Sequence, residues 1–187
     1  MARVSLIEED AHPELADLIA RIRGARRGRL INIYKLLLHS PALAESWFAH
    51  NNAVRWNTAL DGRLREMVII RIGLLTGVDY IVRQHVPHLA IPEGLTLDEC
   101  EALKDWRPSN RFGERDRSAL AYTDAMTREI QVPDAVYAPL KGFFSPRQIV
   151  ELTVLIGTYN MHARVLEALK IDPQAPDQPD TRNERGG

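Results

Sequence analysis

Glu66 and His85 carry the clearest chemical suggestion in this chain of 187 residues. Glu66 interrupts the largely apolar run Arg65-Glu66-Met67-Val68-Ile69-Ile70-Arg71, and His85 ends Asp79-Tyr80-Ile81-Val82-Arg83-Gln84-His85 beyond a break at Thr76-Gly77. A carboxylate and an imidazole on adjacent apolar helices make an acid/base pair. Burial shifts both pKa values, and their mutual charge pulls them back toward neutrality. An isolated buried carboxylate is costly, so Glu66 needs a partner: Arg65, Arg71, His85 or a side chain of another subunit. Two readings of the pair stand side by side, one as catalytic acid and base, the other as a structural ion pair.

The neighbours extend the candidate site. Helical spacing puts Val78, Ile81, His85 and His88 on one side of the second helix, where they would line an apolar pocket. Arg71 stays protonated and could grip a substrate carboxylate with two parallel hydrogen bonds, or pair with Asp79, Asp124 or an acid across a subunit interface. Tyr80 could orient a carbonyl oxygen or complete a buried hydrogen-bond network. Tyr122 and Tyr159 read as core residues, His162 as the polar edge of the last helix, and Trp47, Trp56 and Trp106 as packing anchors. Asp79 and Arg83 are spaced for a surface pair. His85 and His88 do not complete a metal site, because Val82 stands where the Glu-x-x-His pattern of di-iron proteins needs its glutamate. No glycine-rich phosphate loop or Gly-x-Ser-x-Gly elbow occurs, so no metal or cofactor is expected.

The elements that must position these residues read as helices. Leu15, Leu18, Ile19 and Ile22 form one apolar stripe; Ile31, Tyr34, Leu37 and Leu38 form another. Ser40-Pro41 suits a helix start, with the serine as cap and proline in the first turn. Asp61 suits the cap of the helix bearing Glu66. Thr96-Leu97-Asp98-Glu99 and Ser145-Pro146-Arg147-Gln148 have the reciprocal capping-box pattern. A faint repeat relates Arg65-Glu66-Met67-Val68-Ile69-Ile70 to Arg147-Gln148-Ile149-Val150-Glu151-Leu152, each followed by a glycine, Gly73 and Gly157. No alternating run is bracketed by hairpin turns. The expectation is an all-α, compact multi-helix bundle of about seven to nine helices in a single domain over residues 1–171, with a flexible tail over 172–187.

Composition narrows the function classes. Hydrophobic residues make up 45% of the chain and the formal net charge is −1, which suits a packed core and calls for no nucleic acid. The basic cluster Arg26-Arg27-Gly28-Arg29 reads as a solvated surface. The one cysteine, Cys100, permits no internal disulfide and no dithiol site, and suits a reducing, cytoplasmic setting. The first ten residues do not read as a secretory leader, and no apolar run approaches the roughly twenty residues that span a bilayer.

Taken in order, Arg63-Leu64-Arg65-Glu66, Leu75-Thr76-Gly77, Tyr80, His85-Val86-Pro87, Leu120-Ala121-Tyr122-Thr123-Asp124-Ala125-Met126-Thr127, Val150-Glu151-Leu152 and Tyr159-Asn160-Met161 make a specific pattern. The chain resembles the carboxymuconolactone decarboxylase family, which includes the alkylhydroperoxidase D-like proteins, over about residues 2–171. The resemblance implies an all-helical fold that assembles as a trimer or hexamer, with Glu66 and His85 at the family's glutamate and histidine. Val78 and Ile81 occupy the positions of the peroxidase branch's two cysteines. Neither can attack a peroxide or resolve the product, so dithiol peroxidase activity is not expected. The leading expectation is a cofactor-independent decarboxylase, or a related lyase or isomerase, acting on a small carboxylated or lactone-like substrate. His85 would move the proton, Glu66 would orient it, and Arg71 would anchor a carboxylate. The alternative is a catalytically degenerate oligomer that binds a small ligand or serves a structural role.

Overall fold

The computed structural model describes residues 2–26 and 28–171. The tail expected over residues 172–187 lies outside them. Nine α-helices and no strand occur among the described residues: α1 (Ala16–Gly24), α2 (Asn32–Leu37), α3 (Pro41–Trp56), α4 (Gly62–Thr76), α5 (Asp79–His85), α6 (Leu97–Ala102), α7 (Glu114–Arg128), α8 (Asp134–Tyr137) and α9 (Pro146–Leu169). None is long and apolar enough to cross a membrane.

The bundle is organised around α4, which packs against α5, α7 and α9. Every α4 residue from Leu64 to Gly73 is buried, so this helix is enclosed all round. The three charged side chains within that stretch, Arg65, Glu66 and Arg71, must therefore find partners inside the protein. The stripe of Leu18, Ile19 and Ile22 on α1 is buried, as its spacing predicts.

The caps follow the local sequence with one exception. Asp61 accepts from the Leu64 amide at 2.8 Å and starts α4. Thr96 with Glu99, and Ser145 with Gln148, both close as capping boxes. Ser40 takes the cap position of α3, but its hydroxyl makes no capping hydrogen bond, and Pro41 alone marks the start.

A tight turn joins α4 to α5. Gly77 ends α4 at φ 69°, a left-handed conformation natural to glycine, and Val78 then donates its amide to the Gly73 carbonyl at 2.9 Å. Gly73 lets the two helices close together, since a Cβ there would meet Ile81 Cγ2 at 3.0 Å. Its counterpart in the faint repeat, Gly157, faces open space. The hairpin folds His85 back onto Glu66. Beyond His85 the helix widens into a π-turn over Val86–Ala90, with Pro87 inside it lacking an amide hydrogen to donate.

Candidate active site

Glu66 is completely buried and makes three contacts. Its Oε2 lies 2.6 Å from His85 Nδ1. Its Oε1 accepts from Arg55 Nη2 at 3.0 Å and from Arg65 Nε at 3.4 Å. Arg65 also reaches Glu93 at 2.9 Å. The Arg55 and Arg65 guanidinium groups sit 4.8 and 5.0 Å from the ring centroid of Trp56, at the end of α3.

Electrostatics set the protonation of the pair. Burial opposes charge on Glu66, but His85, Arg55 and Arg65 outweigh it and hold the carboxyl down at about 2. Burial pushes the His85 imidazole below its ordinary value. Glu66 works against that shift, while Arg55 and Arg26 add to it. An ionised carboxylate can only accept, so neutral His85 carries its hydrogen on Nδ1, leaving the Nε2 lone pair for a ligand. The Tyr159 ring meets His85 edge-on, with centroids 5.4 Å apart.

His85 lines a cavity of about 380 Å³. One wall is a face of α3, where Trp47, Asn51 and Arg55 recur every fourth residue. Tyr159, His162 and Leu166 of α9 form another. Tyr80, Ile81, Gln84 and His85 of α5, with His88 and Leu89 of the π-turn, form a third. Arg26, Arg29, Ile31, Ile33 and Tyr34 complete the lining, together with Ala25 and Trp56. Among the described residues three arginines and three histidines line this space, and no aspartate or glutamate does.

The cavity also gathers unmet polar atoms. Arg26 Nε, Asn51 Oδ1, Arg55 Nε, Tyr80 Oη and His162 Nε2 are buried without a hydrogen-bond partner, and all five residues line it. Burial pushes the Tyr80 phenol up to about 12. Burial, with the charges of His85, His50, Arg26 and Arg55, brings His162 down to about 3. The His162 ring stacks on Trp47 at 4.6 Å between centroids.

The candidate residues read from sequence thus separate. His85, Tyr80, Ile81 and His88 share the cavity, and Glu66 stands directly behind His85. Val78 is buried as the residue capping α5, outside the lining. Arg71 is not a carboxylate anchor for this cavity. Its Nε and Nη2 bind both Asp124 oxygens at 2.7 and 2.9 Å, and its Nη1 donates to the carbonyls of Leu103 and Lys104. Asp79 and Arg83 form the expected exposed pair at 3.7 Å. Cys100 is buried away from the cavity, its thiol pushed up by burial and by Glu99.

Sequence reasoning missed Arg26, Asn51 and Arg55, and placed Trp47, Tyr159 and His162 in passive roles. The Trp47-x3-Asn51-x3-Arg55 spacing was the available signal, because it brings two polar side chains and an indole onto one helix face. Among the described residues no three His, Cys, Asp or Glu side chains converge as metal ligands.

The carboxymuconolactone decarboxylase family model matches residues 41–125, which include both Glu66 and His85. YnjA of Escherichia coli K12, itself uncharacterized, is 32% identical over 121 residues, and the match spans 64% of this chain and 66% of that protein. A protein of unknown function from Agrobacterium tumefaciens, linked by its description to the antioxidant-defence protein AhpD, has a crystal structure that superposes with a TM-score of 0.70 at 25% identity, covering 75% of this chain and 97% of that one. A cysteine-to-alanine variant of the debrominase Bmp8, in complex with 2,3,4-tribromopyrrole, shares the fold at a TM-score of 0.78 and 17% identity, covering 94% of this chain and 95% of that one. Enzymes therefore occur on this fold. With the ordered motifs and the hairpin that seats Glu66 on His85, these matches give residues 41–125 the carboxymuconolactone decarboxylase family pattern on an alkylhydroperoxidase D-like fold.

Proposed function

We propose that this protein is a cofactor-independent carbon-acid enzyme, a decarboxylase or a related lyase or isomerase, acting on a small carboxylated or lactone-like compound. One observation carries the reading: an imidazole at a cavity wall, its basicity lowered by burial, held by its Nδ1 to a fully buried carboxylate 2.6 Å away. Such an imidazole is poised first as a base. Its Nε2 takes a proton from the carbon next to a carbonyl, and the electron pair of that C–H bond moves into the carbonyl as an enolate. Arg55 lies close enough to His85 to lower its pKa, and its positive charge favours the enolate oxygen. The imidazolium formed then returns the proton, to the same carbon or to its conjugated neighbour. In decarboxylation the broken bond is instead C–CO2, and an imidazolium protonated from solvent supplies the proton to carbon.

Glu66 orients the ring and stabilises the imidazolium without touching the ligand, which makes it a positioning residue. Bmp8 holding a small ring compound supports a ring-sized ligand for a chain of this fold. Dithiol peroxidase chemistry finds no support, because the chain has one cysteine and it is buried elsewhere. A second reading draws on the saturation of Glu66 by three donors: a ligand-binding oligomer whose Glu66–His85 pair is structural. Assembly as a trimer or hexamer belongs to both readings. Val150, Val154 and Met161, exposed along one face of α9, are the proposed contact with a second copy, and sedimentation of V154D against wild type reads it.

The test is incubation with 4-carboxymuconolactone and related lactone acids in deuterium oxide, followed by NMR. Wild type should release carbon dioxide or place deuterium on carbon. His85→Gln should slow this on the order of a hundred- to ten-thousand-fold while remaining folded. A wild type that does neither, or a rate untouched by the substitution, defeats the catalytic reading.

A further inference from the structure

We propose that the cavity selects a planar aromatic monoanion carrying a hydrogen-bond donor, such as a hydroxylated aromatic carboxylate, held by Arg26 and Arg55 against the aromatic walls. The inference deepens the catalytic reading and relies on it only for placing the ligand's reacting carbon beside His85.

Charge comes first. Among the described residues the lining carries no acidic side chain, while Arg26 and Arg55 each show a buried Nε–H without an acceptor. Arg26 is held in place by its Nη2 donating to Tyr34 at 3.0 Å, with its guanidinium carbon 5.5 Å from that ring. Arg55 is held by Glu66 at 3.0 Å. Each fixed guanidinium therefore presents an unmet donor whose natural acceptor is an anionic oxygen. A cationic ligand would meet three arginines and, among the described residues, no carboxylate.

Shape comes next. The Trp47 ring, stacked within 15° of the His162 plane, the Tyr34, Tyr80 and Tyr159 rings and the Trp56 ring give flat aromatic surface beside the aliphatic Ile31, Ile33, Ile81, Leu89 and Leu166. A flat conjugated ligand meets more of that surface than a puckered one of equal size. A volume of about 380 Å³ suits a single substituted ring. Asn51 Oδ1 supplies the last element, an unmet acceptor one helical turn from Arg55, which a ligand hydroxyl would satisfy.

Calorimetric titration of the full chain with 4-hydroxybenzoate, 4-hydroxybenzamide and 4-hydroxycyclohexanecarboxylate tests charge and planarity separately. The aromatic acid should bind on the order of tenfold tighter than its amide, the size of one charge-assisted hydrogen bond. It should also bind several-fold tighter than the saturated acid. Arg26→Gln should bring the acid down to the affinity of the amide and leave the amide unchanged, and His85→Gln should keep the order of all three ligands. Equal binding of acid and amide overturns the proposal, as does equal binding of the flat and puckered acids, or an Arg26→Gln variant that loses both aromatic ligands alike. Selective binding by a protein that turns nothing over defeats the catalytic reading and leaves this one standing. Turnover of a neutral lactone without aromatic-acid selectivity does the reverse.

Discussion

Glu66 and Arg71 stand on the same enclosed helix, both buried and both ion-paired, yet their surroundings differ in kind. Asp124 receives both forks of Arg71, the Trp106 indole at 3.2 Å and Arg107 at 2.8 Å, while the remaining Arg71 nitrogen donates to two backbone carbonyls. That cluster ties α4 to α7 and to the segment after α6, and its residues do not line the cavity beside His85. Glu66 is as well satisfied, but the groups that satisfy it are not. Arg55 keeps an unmet donor, and His85 stands at a cavity wall. A closed polar cluster uses up its hydrogen-bonding capacity in holding the fold, whereas an open one leaves some of it for a ligand.

The largest effect that sharpens this contrast is on the closed side. Arg71→Met leaves the Asp124 carboxylate buried with its bidentate partner gone, and should lower unfolding free energy by about 3–5 kcal/mol in urea titrations. Affinity for an aromatic acid should not change in the folded fraction. A milder loss than that of Glu66→Gln would undo the distinction.

Glu66→Gln comes next. The amide still offers an oxygen to Arg55, so its stability cost should be smaller, about 1–3 kcal/mol. Its signature is the titration of His85. Glu66 raises the imidazole pKa against burial, so its neutralisation should lower that pKa further, read by NMR of the ring protons. An unchanged His85 titration would mean that the carboxylate does not govern the base.

The smallest expected effect concerns acid stability. His162 has an ordinary value of 6.5 and about 3 in the folded protein. Above 6.5 neither the folded nor the unfolded state carries the proton. Between 6.5 and 3 the unfolded chain takes it and the folded one refuses, so stability falls as pH falls through that window. His85 acts in the same direction. Glu66 adds a further loss between its ordinary 4.5 and about 2, where its stabilising charge is removed. His162→Gln should flatten the upper part of the Tm–pH curve and leave the lower part steep. Parallel curves for wild type and variant would place His162 in water rather than on Trp47.

Much of the frame was legible locally. The Asp61, Thr96 and Ser145 caps, the turn at Gly77 and the placement of His85 against Glu66 follow from residues close in sequence or from one short hairpin. Arg71 was ambiguous because its partner, Asp124, lies 53 positions away. His162 looked like an exposed edge because helical periodicity reports which side of a helix is apolar, not that Trp47 of another helix covers it. Arg26 fell in a basic cluster whose composition resembles any solvated surface.

Sequence alone determined the helices, several of their ends and the candidacy of Glu66 and His85 as partners, because hydrogen-bonded turns, caps and one tight hairpin act over a few residues. The cavity, its excess of positive charge and its unmet donors were decided only by tertiary packing. They arise where α3, α5, α9 and the segment after α1 meet, and whether a buried arginine is saturated or still open to a ligand depends on atoms that distant parts of the chain bring to it.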